Sequence, residues 1–327
     1  MKEHNLKLIT LDTETYVDES GNMQLYCICF YDGSDSYSFY ITDYLDVNEM
    51  LKDVFNSLLN NKYNKHSIYI HNGSSFDLIF LLKYLASVPK VKLRPLMKDG
   101  KFIQIEIRLG SYKFSIKDSL LLLPSSLEKL AKAFGVEQQK LEFNHELINK
   151  DNLLKFKDEA IKYCIADCVS LYQVLDSFNR EIYKLFKIDI SKTPTIPSLA
   201  FRIFRTHFLG NKKIPILQGK LFEDLSKAYY GGHVDMYIPE LPKDQKIHVY
   251  DVNSLYPSSM KAYGYPTQLL VHFIGDIGKV TCLDKLNPLL NKELFGIFKV
   301  RVVIAPNIKH PLLPHRVGQS TVFGYEK

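Results

Sequence analysis

Apolar and polar positions change their rhythm along the chain. Leu6-Lys7-Leu8-Ile9-Thr10-Leu11 alternates weakly and predicts a buried strand that ends at Asp12. Residues 23–31 and 36–41 are β-rich and meet at Asp32-Gly33, a hairpin signal. Residues 49–60 have a helical period. His66-Ser67-Ile68-Tyr69-Ile70-His71 predicts a short strand, followed by the polar loop Asn72-Gly73-Ser74-Ser75 and a helix from Phe76 to Leu85. Residues 91–97, 101–109 and 111–116 read as strands, the first two joined at Asp99-Gly100. Ser126 is placed to cap a helix through Phe134, with Gly135 as its stop. Residues 157–186 carry apolar positions at 161, 165, 168, 172 and 175, the period of a long helix. Thr193-Pro194-Thr195-Ile196-Pro197 is a linker candidate, and a further helix is expected over 198–209. This order predicts an α/β fold, a mixed sheet flanked by helices.

Length and composition narrow the picture modestly. The 327 residues suggest two domains, with boundaries expected at 1–190 and 191–327. A hydrophobic fraction of 46% and a charged fraction of 24% are ordinary for a globular chain with a core. The net charge of +6 suits a nucleic-acid partner without demanding one. No apolar run reaches the length of a membrane span, and the early strand leaves no room for a signal or transit peptide. The five cysteines show no zinc-site spacing, so inert thiols in a reducing compartment are the expectation. The abundance of Lys, Asn, Ile, Tyr and Phe suggests an AT-rich coding genome.

Chemistry enters with the acidic positions. Asp12 and Glu14, two apart on a strand, point to one face. Like charges so placed at the end of an apolar strand need neutralising, and a divalent cation does this. Asp77 opens a helix after a strand and loop, where a carboxylate can project into a cleft. Tyr163 and Asp167, four apart, share a helix face. Four carboxylates from these elements can hold two metal ions that activate a water for phosphodiester hydrolysis. Any single Asp here is more often a helix cap or turn residue; the ordered set carries the signal.

The set Asp12-x-Glu14, Asn72-x-x-x-Phe76-Asp77 and Tyr163-x-x-x-Asp167 resembles the three motifs of DEDD-type 3′→5′ proofreading exonucleases fused to family B DNA polymerases. The resemblance implies a ribonuclease H-like domain with Asp12, Glu14, Asp77 and Asp167 as ligands of Mg²⁺ or Mn²⁺ in a two-ion site. It implies that Tyr163 positions the attacking water and that Thr15, Asn72 and Phe76 hold the single-stranded 3′ end. Ser126-Leu127 resembles a further single-strand contact of protein-primed members, and Lys140-x-x-Phe143 resembles their lysine motif. Cap and solvated-surface readings of those two short patterns stay open.

A second block follows. Tyr229-Tyr230-Gly231-Gly232 reads as a turn after a helix, or as backbone that approaches a nucleic-acid strand closely beside an aromatic ring. Val249-Tyr250-Asp251-Val252-Asn253-Ser254-Leu255-Tyr256-Pro257 predicts an apolar strand that delivers an Asp. It resembles the first palm motif of family B polymerases, Asp-x-x-Ser-Leu-Tyr-Pro. Tyr-x-Gly-Gly upstream is typical of the protein-primed branch, found in phages and linear plasmids. By that resemblance Asp251 is a catalytic metal ligand, Ser254 and Leu255 line the triphosphate site, and Tyr256 packs on the sugar of the incoming dNTP. Tyr229, Gly231 and Gly232 would bind template. The implied partners are primer-template DNA, dNTP and a terminal protein, with no membrane. The implied location is the mitochondrion, or alternatively the cytoplasm of a bacterial or phage-infected host. The Tyr-x-Asp-Thr-Asp-Ser motif and the Lys-rich fingers motif of the family are absent from these residues. The expectation is therefore an incomplete palm in a truncated, split or incomplete polymerase sequence, which alone incorporates no nucleotide. A stand-alone exonuclease and a non-catalytic DNA-binding remnant are the competing readings.

Overall fold

The computed structural model describes residues 7–73, 77–98, 100–138, 141, 143–144, 147–234, 236, 240, 245–265, 272, 274–275, 296–305, 307–308, 311, 313–318 and 320–323. Contacts divide the chain into two units, Met1–Asn211 and Lys212–Lys327.

The first unit is built on one sheet of seven strands. These are β1 (Leu8–Val17), β2 (Met23–Tyr31), β3 (Ser36–Tyr40), β4 (Ser67–Ile70), β5 (Lys92–Lys98), β6 (Lys101–Leu109) and β7 (Tyr112–Asp118). Their order is β3-β2-β1-β4-β7-β6-β5. The central strand β4 runs parallel to β1 and β7. The outer strands join by short turns and pair antiparallel. The mixed sheet expected from the sequence is thus the one that forms.

The alternation of β1 decides which helix each of its residues meets. Ile9 and Leu11 pack with α1 (Val47–Leu58) and α2 (Asp77–Ser87), through Met50, Val54, Phe55, Leu78 and Leu81. Leu8 joins the opposite layer, formed by α3 (Leu127–Phe134) and α4 (Lys157–Phe186). Thr10 faces the same way, and its Oγ1 donates to Cys168 O of α4 at 2.7 Å. Continued alternation carries Asp12 and Glu14 toward α4 and Thr13 toward α2. A bulge follows: Glu14 pairs with Cys27 but Thr15 with Leu25, so Tyr26 is the extra residue on β2.

α3 starts on Ser126, whose hydroxyl accepts from Lys129 N, and stops on Gly135 at φ 61°. α4 has 30 residues, and so reaches about 45 Å. The Thr-Pro stretch expected as a linker lies inside the first unit. Thr195 forms a capping box with Ser198 at the start of α5 (Ile196–His207). Leu199 is buried with Ile190 against α4, which holds the stretch to the core. Sheet edges are β3 and β5. The latter carries Lys92, Arg94 and Lys98 on largely exposed positions and has Pro95 within its pairing to β6.

The second unit contains α6 (Gly219–Lys227), α7 (Leu255–Ala262) and the hairpin of β8 (Pro314–Val317) and β9 (Ser320–Phe323). The strand expected at Val249–Asp251 does not form; residues 245–252 carry no regular element and Val249 and Tyr250 are exposed. A strand needs a pairing partner, and among the described residues none pairs with this segment. No described helix is long and apolar enough to cross a membrane.

Candidate active site

Three elements bring the acidic set together. Asp12 and Glu14 leave β1 on the α4 face, and one carboxylate oxygen of each lies within 4.8 Å of the other and of Cys164 Sγ. One turn of α4 sets Tyr163 and Asp167 on the buried face beneath them. The Tyr163 hydroxyl is hydrogen-bonded to Asp167 and feels the charges of Asp167, Glu14 and Asp12; burial first, then those charges, push its pKa well above the usual value. It is therefore a protonated phenol throughout the neutral range.

Asp77 arrives from the other face. It opens α2 and is buried, and Thr13, between Asp12 and Glu14 on β1, donates its hydroxyl to Asp77 Oδ1. Burial pushes the Asp77 carboxyl up to about 6; the Thr13 hydrogen bond opposes the shift, while the charges of Glu14 and Asp118 add to it. The strand end thus presents carboxylates from both sheet faces at one place.

The loop before α2 is held from below. Asn72 takes the left-handed conformation at φ 62°, and its N–H donates to Asp118 Oδ1 at 2.9 Å. His71 bridges Ser119 Oγ (3.0 Å) and Ser125 O (2.9 Å), so the loop is tied to the segment that leads into α3. Thr15 is half-buried at the bulge. Ser126 uses its hydroxyl as the α3 cap, and Leu127 faces the core. Phe143 lies 5.4 Å from Tyr163 between ring centroids. Phe76 and Lys140 lie outside the described residues.

The second block lies in the second unit. Tyr229 is exposed, and a Cβ added to Gly231 or Gly232 would meet nothing within 4 Å. Arg316 of β8 donates to Tyr229 O at 2.6 Å and lies over the Tyr230 ring, while His233 stacks on Phe323 of β9. Asp251 is exposed ahead of a turn in which Leu255 N donates to Val252 O at 3.2 Å. Ser254 takes a left-handed conformation at φ 52°, and Leu255 and Tyr256 open α7 on exposed positions.

The model of "DNA polymerase type B, organellar and viral" matches residues 58–157 and 151–326. The chain belongs to the organellar and viral type B DNA polymerases. Among relatives of this type B polymerase chain, a probable DNA polymerase of Ascobolus immersus is 33% identical over 98% of the chain and 29% of its own length. One of Neurospora intermedia is 32% identical over 98% of the chain and 38% of its own length. The chain thus spans about a third of these relatives. A structure of Phi29 DNA polymerase complexed with primer-template DNA covers 70% of the chain and 40% of its own, at 19% identity and a TM-score of 0.52. That likeness is one of fold, and the seven-stranded mixed sheet with flanking helices is ribonuclease H-like.

The type B polymerase chain also has site residues that motif spacing does not reveal. Thr13 holds Asp77, and Asp118 holds Asn72. Asp118 did carry a signal, since it ends the alternating strand β7 as Asp12 interrupts β1. Cys27 and Cys29 are the cross-strand partners of Glu14 and Asp12, a relation that only the register discloses.

Proposed function

We propose that the first unit is a metal-dependent 3′→5′ exonuclease that trims single-stranded DNA ends, the proofreading half of a protein-primed type B DNA polymerase. The observation that carries this reading is the convergence of the Asp12 and Glu14 carboxylates, with the hydrogen-bonded pair Tyr163 and Asp167 within range of their charge and Asp77 within range of Glu14. Their donors are hard carboxylate oxygens, the set that suits Mg²⁺ or Mn²⁺. Burial first, and then the charges of Glu14 and Asp118, raise Asp77, an electrostatic condition that a cation relieves. Asp12, Glu14, Asp77 and Asp167 would hold the ions. Bound there, such a pair supplies an activated water and stabilises the leaving oxygen.

The chain's own groups do the rest. Tyr163, kept protonated and donating to Asp167, offers its phenol oxygen as acceptor to the attacking water and so orients it. Thr13 fixes the Asp77 carboxyl. Thr15, Asn72 and Phe76 hold the 3′ end, and Ser126 and Lys140 extend the strand contact, whereas Leu127 is buried and only supports it from the core. In the second unit, Asp251 would be a metal ligand of the polymerase site, Ser254 and Leu255 would line the dNTP phosphates, and Tyr256 would pack on its sugar. Tyr229, Gly231 and Gly232 would contact template, with a terminal protein as primer. The family's organellar and viral membership and the fungal relatives support a mitochondrial location, with the cytoplasm of a bacterial or phage-infected host as the alternative.

The test is degradation of 5′-labelled single-stranded DNA with Mg²⁺ or Mn²⁺. Shortening from the 3′ end is expected, and Asp12→Ala should slow it at least ~100-fold, the effect of losing a few kcal/mol of transition-state stabilisation. A variant as fast as the parent would overturn the site.

A further inference from the structure

Behind the carboxylates lies a second cluster of ligating atoms with a different chemistry. Four of the chain's five cysteines, Cys27, Cys29, Cys164 and Cys168, are buried in one core region with Tyr26 and Tyr40. Cys27 and Cys29 project from the same face of β2, and Cys164 meets them from α4. The three sulfurs lie within 4.8 Å of one another, and Cys27 Sγ and Cys29 Sγ are 3.8 Å apart. Thiolates that share one ion at a Zn–S distance of about 2.3 Å stand roughly 3.8–4 Å apart. Apolar packing accounts for the burial of these residues, but it does not require their sulfurs to converge on one point. A disulfide between Cys27 and Cys29 is unfavourable, because residues two apart on an extended strand hold their Cα atoms at about 6.5–7 Å, the limit of disulfide geometry.

We propose that Cys27, Cys29 and Cys164 form a site for one soft, closed-shell metal ion of the Zn²⁺, Cd²⁺ or Cu⁺ class. Thiolate sulfur selects such ions over the hard cations that carboxylates hold. The two sites adjoin, since Cys164 Sγ lies within 4.8 Å of carboxylate oxygens of Asp12 and Glu14. Donor hardness keeps them distinct. An ion on the sulfurs would pin β2 to α4, and so join the strand beside Asp12 and Glu14 to the helix that carries Tyr163 and Asp167. The proposal does not depend on the nuclease reading, because it is tested by metal content rather than by DNA cleavage.

The experiment uses the full chain, reduced and stripped of metal, titrated with Cd²⁺ in excess Mg²⁺. Expected is a thiolate-to-metal charge-transfer absorbance that saturates at one ion per chain, and native mass spectrometry should find one Zn²⁺ on the same protein. Loss of even an outer partner of a metal ligand weakens binding roughly 10–100-fold, so Cys27→Ser and Cys164→Ser should each abolish the band, while Asp12→Ala keeps it. Circular dichroism checks that the variants fold. Should they not, the parent protein still decides: Zn²⁺ should slow alkylation of Cys27, Cys29 and Cys164, mapped by peptide mass spectrometry, at least tenfold. No charge-transfer band, a band that survives both cysteine variants, or alkylation indifferent to Zn²⁺ would overturn the site.

Discussion

Asp77 is buried at a junction where it meets Glu14, Asp118 and the Thr13 hydroxyl, and burial holds its carboxyl up at about 6. A carboxyl raised in the folded state binds its proton more tightly there than in the unfolded chain. Its contribution to stability is therefore greatest below about pH 4 and declines as pH rises toward 6. In metal-free protein, Asp77→Asn should melt higher than the parent at pH 7, by roughly 2–4 °C for each kcal/mol of relieved repulsion. The gap should close as the pH falls to 4, and calorimetry across that range reads it directly. Mg²⁺ should raise the parent's melting temperature at pH 7 and leave Asp77→Asn nearly unmoved. A variant less stable than the metal-free parent at pH 7 would show that the Thr13 hydrogen bond outweighs the buried charge.

At the level of elements, most of the first unit was legible because its periods are local. Alternation and β-rich composition marked the seven strands, although β1 runs on to Val17 past its expected end at Asp12, and the 3.6-residue period marked α4. The shared face of Asp12 and Glu14 followed from the same alternation. What stayed hidden depends on register. Cys29 sits opposite Asp12, and Cys27 opposite Glu14, only in the pairing that places Tyr26 as the extra residue. A slip of one residue would turn those sulfurs to the other face. Zinc-type spacing could not flag them, since Cys164 joins from a helix far along the chain. The strand predicted at Val249–Asp251 misled for the opposite reason: its composition suits a sheet, but pairing is not a local property. Packing also explains Gly73, a loop glycine between β4 and α2. A Cβ there would stand 2.5 Å from Ile70 Cγ2 and 3.4 Å from Asp77 Oδ2. Gly73→Ala should shift the loop, cost roughly 1–3 kcal/mol in denaturant unfolding and lower hydrolysis of single-stranded DNA. Gly231→Ala, with open space around it, should leave stability within about 0.5 kcal/mol of the parent.

For the whole molecule, the sheet of the first unit is covered on both faces but open at its two ends. β5, one of those ends, carries Lys92, Arg94 and Lys98, and Pro95 interrupts its row of backbone donors. Unpaired donors and acceptors on a flat edge would recruit another chain's strand, and lysine and proline discourage this. The consequence concerns crowding rather than catalysis. The basic residues and the proline disfavour annealing of this edge to the edge of another copy. Replacing Lys92, Arg94 and Pro95 together by Val, Thr and Val should convert that edge into a sticky one. Light scattering and thioflavin fluorescence should then grow with protein concentration in the variant while the parent solution stays clear.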